Sequence, residues 1–263
     1  MVEAAGGIDE SKFYQAAIDV SRHNGRWYSM TVEIDAYGVL YNKAIFEEAG
    51  VEPPTTAEEM YQLAIDITEV DAAGNVIRLG MAPDRHAFEN AALAYGGHWW
   101  DKETGLPTAN DAANIAAWND LSALYESIDP TAAQAFEQQA MGWPIDNAFL
   151  GGATAMKHQG DWYVMFARDY APDLDYDVFP YPPGGVNGVE GTSKVDGAVY
   201  AVPTGVKDVE ASFNFVWWMG NSEEGSCSLQ VAWANASPFK TLANSAECLP
   251  APLYQRYIET MSY

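Results

Sequence analysis

The stretch from Phe149 to Trp162, which reads FLGGATAMKHQGDW, limits most strongly what this chain can fold into. A short apolar run and two glycines lead into a predicted strand at 153–159, which ends in a Gly-Asp-Trp turn. In open α/β sheets, ligands bind beyond the carboxyl ends of the strands. A carboxylate and an indole at such an end, Asp161 and Trp162, therefore predict a binding surface.

The chemistry of Asp161 and Trp162 suits a carbohydrate. An indole offers a flat apolar face with an N–H donor at its edge, and a sugar ring has apolar C–H faces surrounded by hydroxyl groups. The alternative interpretation is structural: Trp162 is a core aromatic, and Asp161 caps a helix over Tyr163 to Tyr170. The local sequence leaves both interpretations open.

The charge and length of the chain narrow the classes of partner. The 263 residues can form one large domain or two lobes, and 37 acidic against 13 basic residues give a formal net charge of −24. Such a surface repels phosphate backbones, so we expect no nucleic-acid partner. No window approaches the roughly 20 continuous apolar residues that span a bilayer, so we expect no direct membrane insertion of this chain.

Cysteine and histidine usage gives no sign of a metal or cofactor site. Cys227 and Cys248 form no CxxC pair, and the four histidines are scattered along the chain. A disulfide between the two cysteines and a pair of unrelated thiols both remain open. We therefore predict no metal and no cofactor.

Further candidate ligand contacts lie in predicted strands. Glu33, Asp35 and Tyr37 alternate along one of them, so they share a face that lines a cleft or is simply solvated. Asp196 and Gly197 stand at the entry of another predicted strand, where they also could face a cleft.

A glycine turn adds two indoles to the candidates. Tyr95 to Trp100 reads YGGHWW, and adjacent Trp99 and Trp100 cannot both point inward in an extended segment. We therefore expect at least one of them to remain exposed and to contribute to a binding surface.

Helix signals occur between these candidates. Asn42, Thr56 and Asp208 are predicted N-caps, and Glu59 completes a capping box with Thr56. The helix that follows Asp111 carries an apolar stripe that we interpret as scaffold, formed by Ile115, Trp118, Leu121 and Tyr125.

Four sequence blocks together resemble a known family. The chain is similar to the extracellular solute-binding proteins of ABC importers, in the carbohydrate-binding branch related to maltose-binding protein. The blocks are LYNKAIFEEAGVEPPTTAEEM at Leu40 to Met60, GNVIRLGM at Gly74 to Met81, FLGGATAMKHQGDW at Phe149 to Trp162, and GAVYAVPTGVKDVEASFNFVWWM at Gly197 to Met219.

The resemblance implies an α/β, two-lobed periplasmic-binding-protein-like fold of type II, with the first lobe incomplete in this sequence. It implies a remnant of the first lobe at 1–39, the second lobe at 40–192, a return segment of the first lobe at 193–235, and a C-terminal segment at 236–263 that returns toward the second lobe. A hinge between the lobes would close on a ligand in the cleft.

The resemblance also implies a ligand, partners and a location. Trp162 falls where the family stacks an aromatic on a sugar ring, and Asp161, Trp99, Trp100 and Asp196 fall in segments that line the family's cleft. The sugar would be delivered to the permease subunits of the transporter. The location would be extracellular or periplasmic, with a lipid anchor on a segment outside this sequence as one option.

A carbohydrate-active enzyme is the competing hypothesis. A glycoside hydrolase needs two carboxylates about 5 to 9.5 Å apart, and the pairs Glu33 with Asp35 or Asp161 with Asp196 could be proposed. Acids this abundant yield such pairs by chance, and the sequence has no G-x-S-x-G, H-E-x-x-H or P-loop motif. Few basic residues lie near the candidate site, and Arg85 is the main one. This scarcity of positive charge argues against a phosphorylated ligand. We therefore expect a binding protein without catalytic activity.

Overall fold

The computed structural model describes residues 1–82, 87–139, 148–191, 194–242, 245–249 and 253–260. The helices are α1 (Gln15–Ser21), α2 (Lys43–Ala49), α3 (Ala57–Asp66), α4 (Ala87–Ala94), α5 (Ala112–Ser127), α6 (Pro130–Gln139), α7 (Tyr163–Tyr170), α8 (Val209–Asn221), α9 (Glu223–Trp233) and α10 (Tyr254–Thr260). The strands are β1 (Arg22–His23), β2 (Arg26–Trp27), β3 (Met30–Asn42), β4 (Glu69–Val70), β5 (Val76–Met81), β6 (Thr154–Gly160), β7 (Tyr176–Phe179) and β8 (Val195–Tyr200).

The chain forms two compact units. The first contains the described parts of Met1–Ala36, Gly160–Met165 and Val195–Met261, and the second contains those of Tyr37–Gln159 and Phe166–Lys194. Each unit is therefore assembled from segments that are distant in sequence.

These units differ in part from the lobes that the sequence suggests. The chain passes between the units after Ala36 and after Lys194, close to the suggested lobe boundaries at 39/40 and 192/193. Gly160–Met165 and the described residues beyond 236 group with the first unit, whereas the resemblance sends both toward the second lobe. The lobe boundaries remain predictions.

A mixed sheet forms the centre of the second unit. Its strand order is β4-β5-β6-β3-β7, with β6 parallel to β5 and β7 antiparallel to β3. Residues Thr154 to Lys157 of β6 are all buried, as expected for a strand that is covered on both faces. The predicted strand at 153–159 is therefore confirmed to within one residue at each end.

Helix α3 packs closely on this sheet. Its residues Met60 and Ala64 are buried, and a Cβ atom added to Gly80 of β5 would lie 1.8 Å from the carbonyl oxygen of Ala64. Only glycine fits at Gly80 at this helix-to-strand distance, because any side chain there would displace the backbone of α3.

The predicted scaffold stripe of α5 is confirmed at Leu121 and in part at Tyr125, and it is wrong at Ile115 and Trp118. Its buried residues are Asn114, Ala117, Leu121 and Leu124, whereas Ile115 and Trp118 are 49% and 54% exposed. The reason is polar: the Asn114 amide donates hydrogen bonds of 2.9 Å to the carbonyl oxygens of His98 and Thr108. Satisfying these two carbonyls turns the Asn114 face inward and the Trp118 face outward.

Local capping predictions hold with one change. The Asn42 side chain accepts a hydrogen bond from the N–H of Ala44 at 3.0 Å, and that of Asp208 accepts one from Ala211 at 2.9 Å. The Thr56 hydroxyl likewise accepts from the Glu59 N–H, but the Glu59 carboxylate reaches the N–H of Thr55 rather than that of Thr56.

The first unit is built on the first half of β3. Its residues Met30 to Ala36 pair antiparallel with β8, and a small apolar core forms beside them from Phe13, Ile18, Phe239, Leu242 and Cys248. Cys227 of α9 and Cys248 form a disulfide with a Cα–Cα distance of 5.2 Å. This pairing decides between the two cysteine states that the sequence left open.

Candidate functional site

Asp161 lies in the interior of the first unit. The residue is 0% exposed, its Oδ2 accepts a hydrogen bond of 2.9 Å from the N–H of Ala236, and its own N–H donates to the carbonyl oxygen of Ala36 at 2.9 Å. Burial raises the pKa of the Asp161 carboxyl well above its ordinary value, and the nearby charges of Asp35 and Glu33 act in the same direction. Asp161 therefore ties three segments of the first unit together from inside.

Other acids of β3 share this part of the first unit. Asp35 accepts a hydrogen bond of 2.5 Å from the Asn235 amide, and burial raises the pKa of Glu33. Among the described residues, the buried atoms Oδ1 of Asp161 and Oε2 of Glu33 have no hydrogen-bond partner. The carboxylates of Glu33 and Asp35 thus lie in a region of reduced solvent access, where a hydroxyl donor would be bound favourably.

The strand β8 adds its backbone to the same region. Asp196 lies opposite Asp35 in the ladder and Gly197 lies opposite Ile34. A Cβ atom on Gly197 would approach the carbonyl oxygen of Glu33 to 3.0 Å. The structure therefore brings together, within the first unit, the sequence-predicted residues Glu33, Asp35, Asp161, Asp196 and Gly197.

Trp162 follows Asp161 directly at the end of β6. Its indole is partly exposed and packs over Gly160, where an added Cβ atom would lie 2.0 Å from Cζ3 of the ring. Helix α7 begins at the next residue, Tyr163, and has the limits that the sequence indicated. The indole is thus fixed on its glycine side and keeps part of its surface open to solvent.

Tyr37 does not share an exposed face with Glu33 and Asp35. It belongs to the second unit, is 5% exposed and stacks on His158 with ring centroids 5.5 Å apart. The ammonium of Lys194 lies 5.4 Å from the centre of the Tyr37 ring. Alternation along β3 misplaces Tyr37 because the strand enters a sheet that is buried on both faces at this residue.

The second unit contains a cavity of about 310 Å³ with an indole in its wall. Its lining residues are Glu89, Leu93, Trp99 and Lys194. Lys194 Nζ and a Glu89 carboxylate oxygen are 2.7 Å apart, and the Lys194 N–H donates to the side chain of Asn90 at 2.8 Å. The wall thus combines one flat apolar surface with a paired donor and acceptor.

Both indoles of the YGGHWW segment are accessible. Trp99 is 36% exposed and Trp100 is 56% exposed, which confirms that the pair does not point into the core together. Trp99 lines the cavity, whereas the backbone of Trp100 forms a bridge with Pro107. Sequence reasoning missed Glu89, Leu93 and Lys194 because no local motif marks them.

A larger cavity of about 530 Å³ lies in the first unit. Trp27, Tyr28, Tyr200 and Phe213 form much of its apolar wall. None of the sequence-predicted site residues lines it, so it is separate from the candidate site.

Three further points concern Arg85, metal binding and membrane-spanning helices. Arg85 lies outside the described residues. Within the described ranges, no group of three His, Cys, Asp or Glu side chains is arranged to hold a metal ion. In the same ranges, no helix is both long and apolar enough to cross a membrane.

Nearly the whole sequence matches the model of a known protein family. The model of the bacterial extracellular solute-binding proteins covers residues 2–257. The chain belongs to this family. The family consists of binding proteins, in agreement with the interpretation from the sequence.

Curated relatives of this solute-binding protein are considerably longer. A maltooligosaccharide ABC transporter solute-binding lipoprotein of Streptococcus pneumoniae is 27% identical over 214 residues, which are 78% of this chain and 48% of that protein. A putative binding protein of Brucella abortus is 25% identical over 194 residues, 72% of this chain and 46% of the relative. The chain thus spans about half the length of the curated relatives it matches.

Solved structures share the fold of this solute-binding protein. CpMnBP1 with mannobiose bound superposes with a TM-score of 0.82 at 22% identity, over 98% of this chain and 66% of that one. A substrate-binding protein of Listeria monocytogenes in complex with cycloalternan gives 0.78 at 20% identity, over 100% and 66%. These likenesses confirm the α/β periplasmic-binding-protein fold.

Proposed function

We propose that this chain is the ligand-binding part of the extracellular component of an ABC importer, and that its ligand is a sugar or oligosaccharide. Its partners would be the permease subunits that receive the ligand. The observation that supports a carbohydrate most directly is the cavity in the second unit, where Trp99 lies beside the ion pair of Glu89 and Lys194.

The Trp99 cavity offers both kinds of contact that a sugar needs. An indole face packs on the apolar C–H face of a pyranose, and a carboxylate and an ammonium can accept from and donate to its hydroxyl groups. A volume of about 310 Å³ lies at the lower end of the range for small-ligand sites, roughly 300 to 1,000 Å³. The net charge of −24 disfavours an anionic ligand.

The first unit by itself carries a second candidate set of contacts. The partly exposed indole of Trp162 is suited to stack on a ring, and the buried oxygen of Glu33 is suited to accept from a hydroxyl group. Asp161 would act indirectly, since it is fully buried and holds the backbone of Ala236. We propose that Asp161 positions the turn that carries Trp162.

A hydrolase reading draws on the raised pKa values of Glu33 and Asp161, and Asp161 is the stronger candidate for a general acid because its pKa lies well above the ordinary value. A general acid has such a pKa, but here it comes from complete burial, and the side chain is 0% exposed. A glycosidic oxygen could not approach the carboxyl without opening the first unit. We therefore propose binding without catalysis.

The location follows from the family, whose members are extracellular. The streptococcal relative is a lipoprotein, and a lipid anchor on the native form of this protein is a finer proposal. Metabolic labelling of the native protein with an alkynyl fatty acid tests it: the label should be incorporated, and its absence would remove the anchor from the proposal.

A thermal-melt series tests the proposed function. The purified chain is heated with maltose, maltotriose, mannobiose or mannotriose. A ligand at 100 times its Kd should stabilise the folded state by about 2.7 kcal/mol and raise the Tm by several degrees. A Trp99→Ala variant should lose most of the shift, while Trp233→Ala, which removes a similarly exposed indole on α9, should keep it.

The opposite pattern would contradict the proposal. A cooperative melt that no saccharide shifts would exclude this ligand class for the chain. Equal shifts in wild type and Trp99→Ala would exclude the Trp99 cavity as the site.

A further inference from the structure

An exposed indole, that of Trp118, lies next to the proposed site but outside the lining of its cavity. Trp118 of α5 is 54% exposed, although its helix buries Ala117 and Leu121 in the core of the second unit. Large aromatic side chains lose favourable burial when they remain in water, and what sets this exposed indole apart is its position beside the Trp99 cavity.

Trp118 is joined to the cavity wall through one ring. The phenyl ring of Phe88 packs edge-to-face on Trp99, with centroids 5.2 Å apart and an interplanar angle of 85°, and on Trp118, at 5.1 Å and 79°. Phe88 itself is partly buried against the core of the second unit. We call Trp99, Phe88 and Trp118 the aromatic run.

The central ring of the aromatic run is fixed, and its two outer indoles remain exposed to a ligand. Edge-to-face pairs of this geometry are favourable beyond their burial, and the core contact of Phe88 fixes the central ring. The two outer indoles keep 36% and 54% of their surface exposed. Two platforms are therefore held at a fixed spacing, one inside the cavity and one outside it.

We propose that the aromatic run extends the Trp99 cavity into a further subsite, in which Trp118 stacks on a sugar ring that lies outside the cavity. The ligand is then an oligosaccharide longer than the cavity alone can hold. This inference rests on the proposed function and specifies its ligand.

The surroundings of Trp118 fit a saccharide better than a protein partner. The exposed large apolar side chains of α5 are Ile115 and Trp118, one helical turn apart. A stable protein interface buries about 1,200 to 2,000 Å², far more than two side chains supply. A single indole beside the exposed amide of Asn119 offers instead a stacking face with a hydrogen-bonding group.

The position of Trp118 next to the cavity also favours a saccharide over a protein partner. A second copy of the chain could cover an exposed indole at any place on the surface. A ligand that extends out of the cavity past Trp99 would instead need an indole where Trp118 lies, on the far side of Phe88. The exposed surface of the run is thus continuous with the site rather than a separate patch.

Ligand length provides the test. Calorimetric titrations of wild type, Trp118→Ala and Trp118→Phe are compared for maltose with maltohexaose and for mannobiose with mannohexaose. We expect the ratio of hexasaccharide to disaccharide affinity to fall about tenfold in Trp118→Ala, the change that a loss of roughly 1.4 kcal/mol produces. Trp118→Phe, which retains an aromatic face, should recover part of the ratio.

Two control variants separate this effect from others. Trp99→Ala should weaken both ligand lengths, because the cavity serves every ligand. Trp233→Ala, on the first unit, should leave the affinities and their ratio as in wild type.

Each other outcome overturns the inference. An unchanged ratio in Trp118→Ala, with binding intact, removes the subsite but leaves the proposed function standing. A wild type that binds no saccharide overturns both. If both Trp118 variants fail to melt cooperatively, the indole is a structural residue. If Trp118→Ala instead abolishes self-association in sedimentation runs at unchanged ratio, a second copy occupies the face.

Discussion

The ammonium of Lys194 lies 2.7 Å from the carboxylate of Glu89, beside the indole of Trp99. Lys194 is the last residue of the second unit before the chain crosses to β8, and Glu89 lies in the first turn of α4. The ion pair therefore attaches the end of the second unit's last segment to α4. It also forms the polar wall of the cavity.

Removing this pair should affect binding more than stability. The two side chains keep 23% and 42% of their surface exposed, and partly exposed pairs contribute about 0–1 kcal/mol. We expect Glu89→Gln to change the free energy of unfolding by less than about 1 kcal/mol and to lower saccharide affinity several-fold, as urea melts and titration calorimetry would measure.

The pair of Lys43 and Asp175, also 2.7 Å apart, provides the control. Lys43→Met should leave saccharide affinity unchanged, since Lys43 lies outside the cavity lining. A Glu89→Gln variant that binds as wild type does would show that the carboxylate contacts no ligand.

The buried carboxyl of Asp161 should make stability depend on pH. Its pKa is raised in the folded state above the ordinary value of 3.8, because it is desolvated and lies near the charges of Asp35 and Glu33. The folded chain therefore holds this proton more tightly than the unfolded chain. The stability that follows is fully present below pH 3.8 and is lost as pH rises through the folded pKa.

Asp161→Asn isolates this contribution. An amide can still accept the hydrogen bond from Ala236 and does not ionise, so the variant should gain stability relative to wild type as pH rises from 4 toward 8. Urea midpoints across this range measure the difference. A constant difference would mean that Asp161 has the same pKa in both states.

Asp161→Ala tests the structural role of the same side chain. It leaves the buried N–H of Ala236 without its acceptor, which should cost about 1–3 kcal/mol. The cost of the missing acceptor should be present at every pH, in addition to the pH-dependent difference that Asp161→Asn shows.

The disulfide should stabilise the first unit. Cys227 and Cys248 are 21 residues apart, and a loop of that size corresponds to about 3 kcal/mol in the chain-entropy description. A urea melt in reducing agent should show this loss. The double variant Cys227→Ser/Cys248→Ser should melt like the reduced protein and be insensitive to reductant, and an unchanged melt on reduction would argue against the contribution.

The packing of Trp162 on Gly160 should make Gly160→Ala damaging. The added methyl group would lie 2.0 Å from Cζ3 of the ring, so the indole must leave its position. We expect lower stability, lower saccharide affinity and a shifted tryptophan emission spectrum.

A double-variant cycle checks the cause. In a Trp162→Ala background, Gly160→Ala should cost little, because the ring that it would strike is gone. Trp162→Ala alone should lower saccharide affinity and leave a cooperative melt. A non-cooperative melt would instead make Trp162 a core residue, as the structural interpretation of the sequence has it.

Most of the local structure could be predicted from neighbouring residues. The cap at Asn42, the strand before Gly160 and the helix that begins at Tyr163 each depend on side chains within a few positions, so their signals are visible in the sequence. The candidate site was predictable only in part. Trp99 was identified from two adjacent indoles, but nothing local joins it to Glu89 and Lys194.

The sequence by itself determined the capped helices, the buried strand β6 and, through its length-wide similarity, the solute-binding family. Tertiary structure alone decided which side chains face solvent. The inward turn of Asn114 exposes Trp118, the backbone of Ala236 buries Asp161, and a sheet covered on both faces encloses Tyr37. Each of these depends on a partner distant in the chain, and hydrogen-bond satisfaction between distant segments leaves no periodic signal in the sequence.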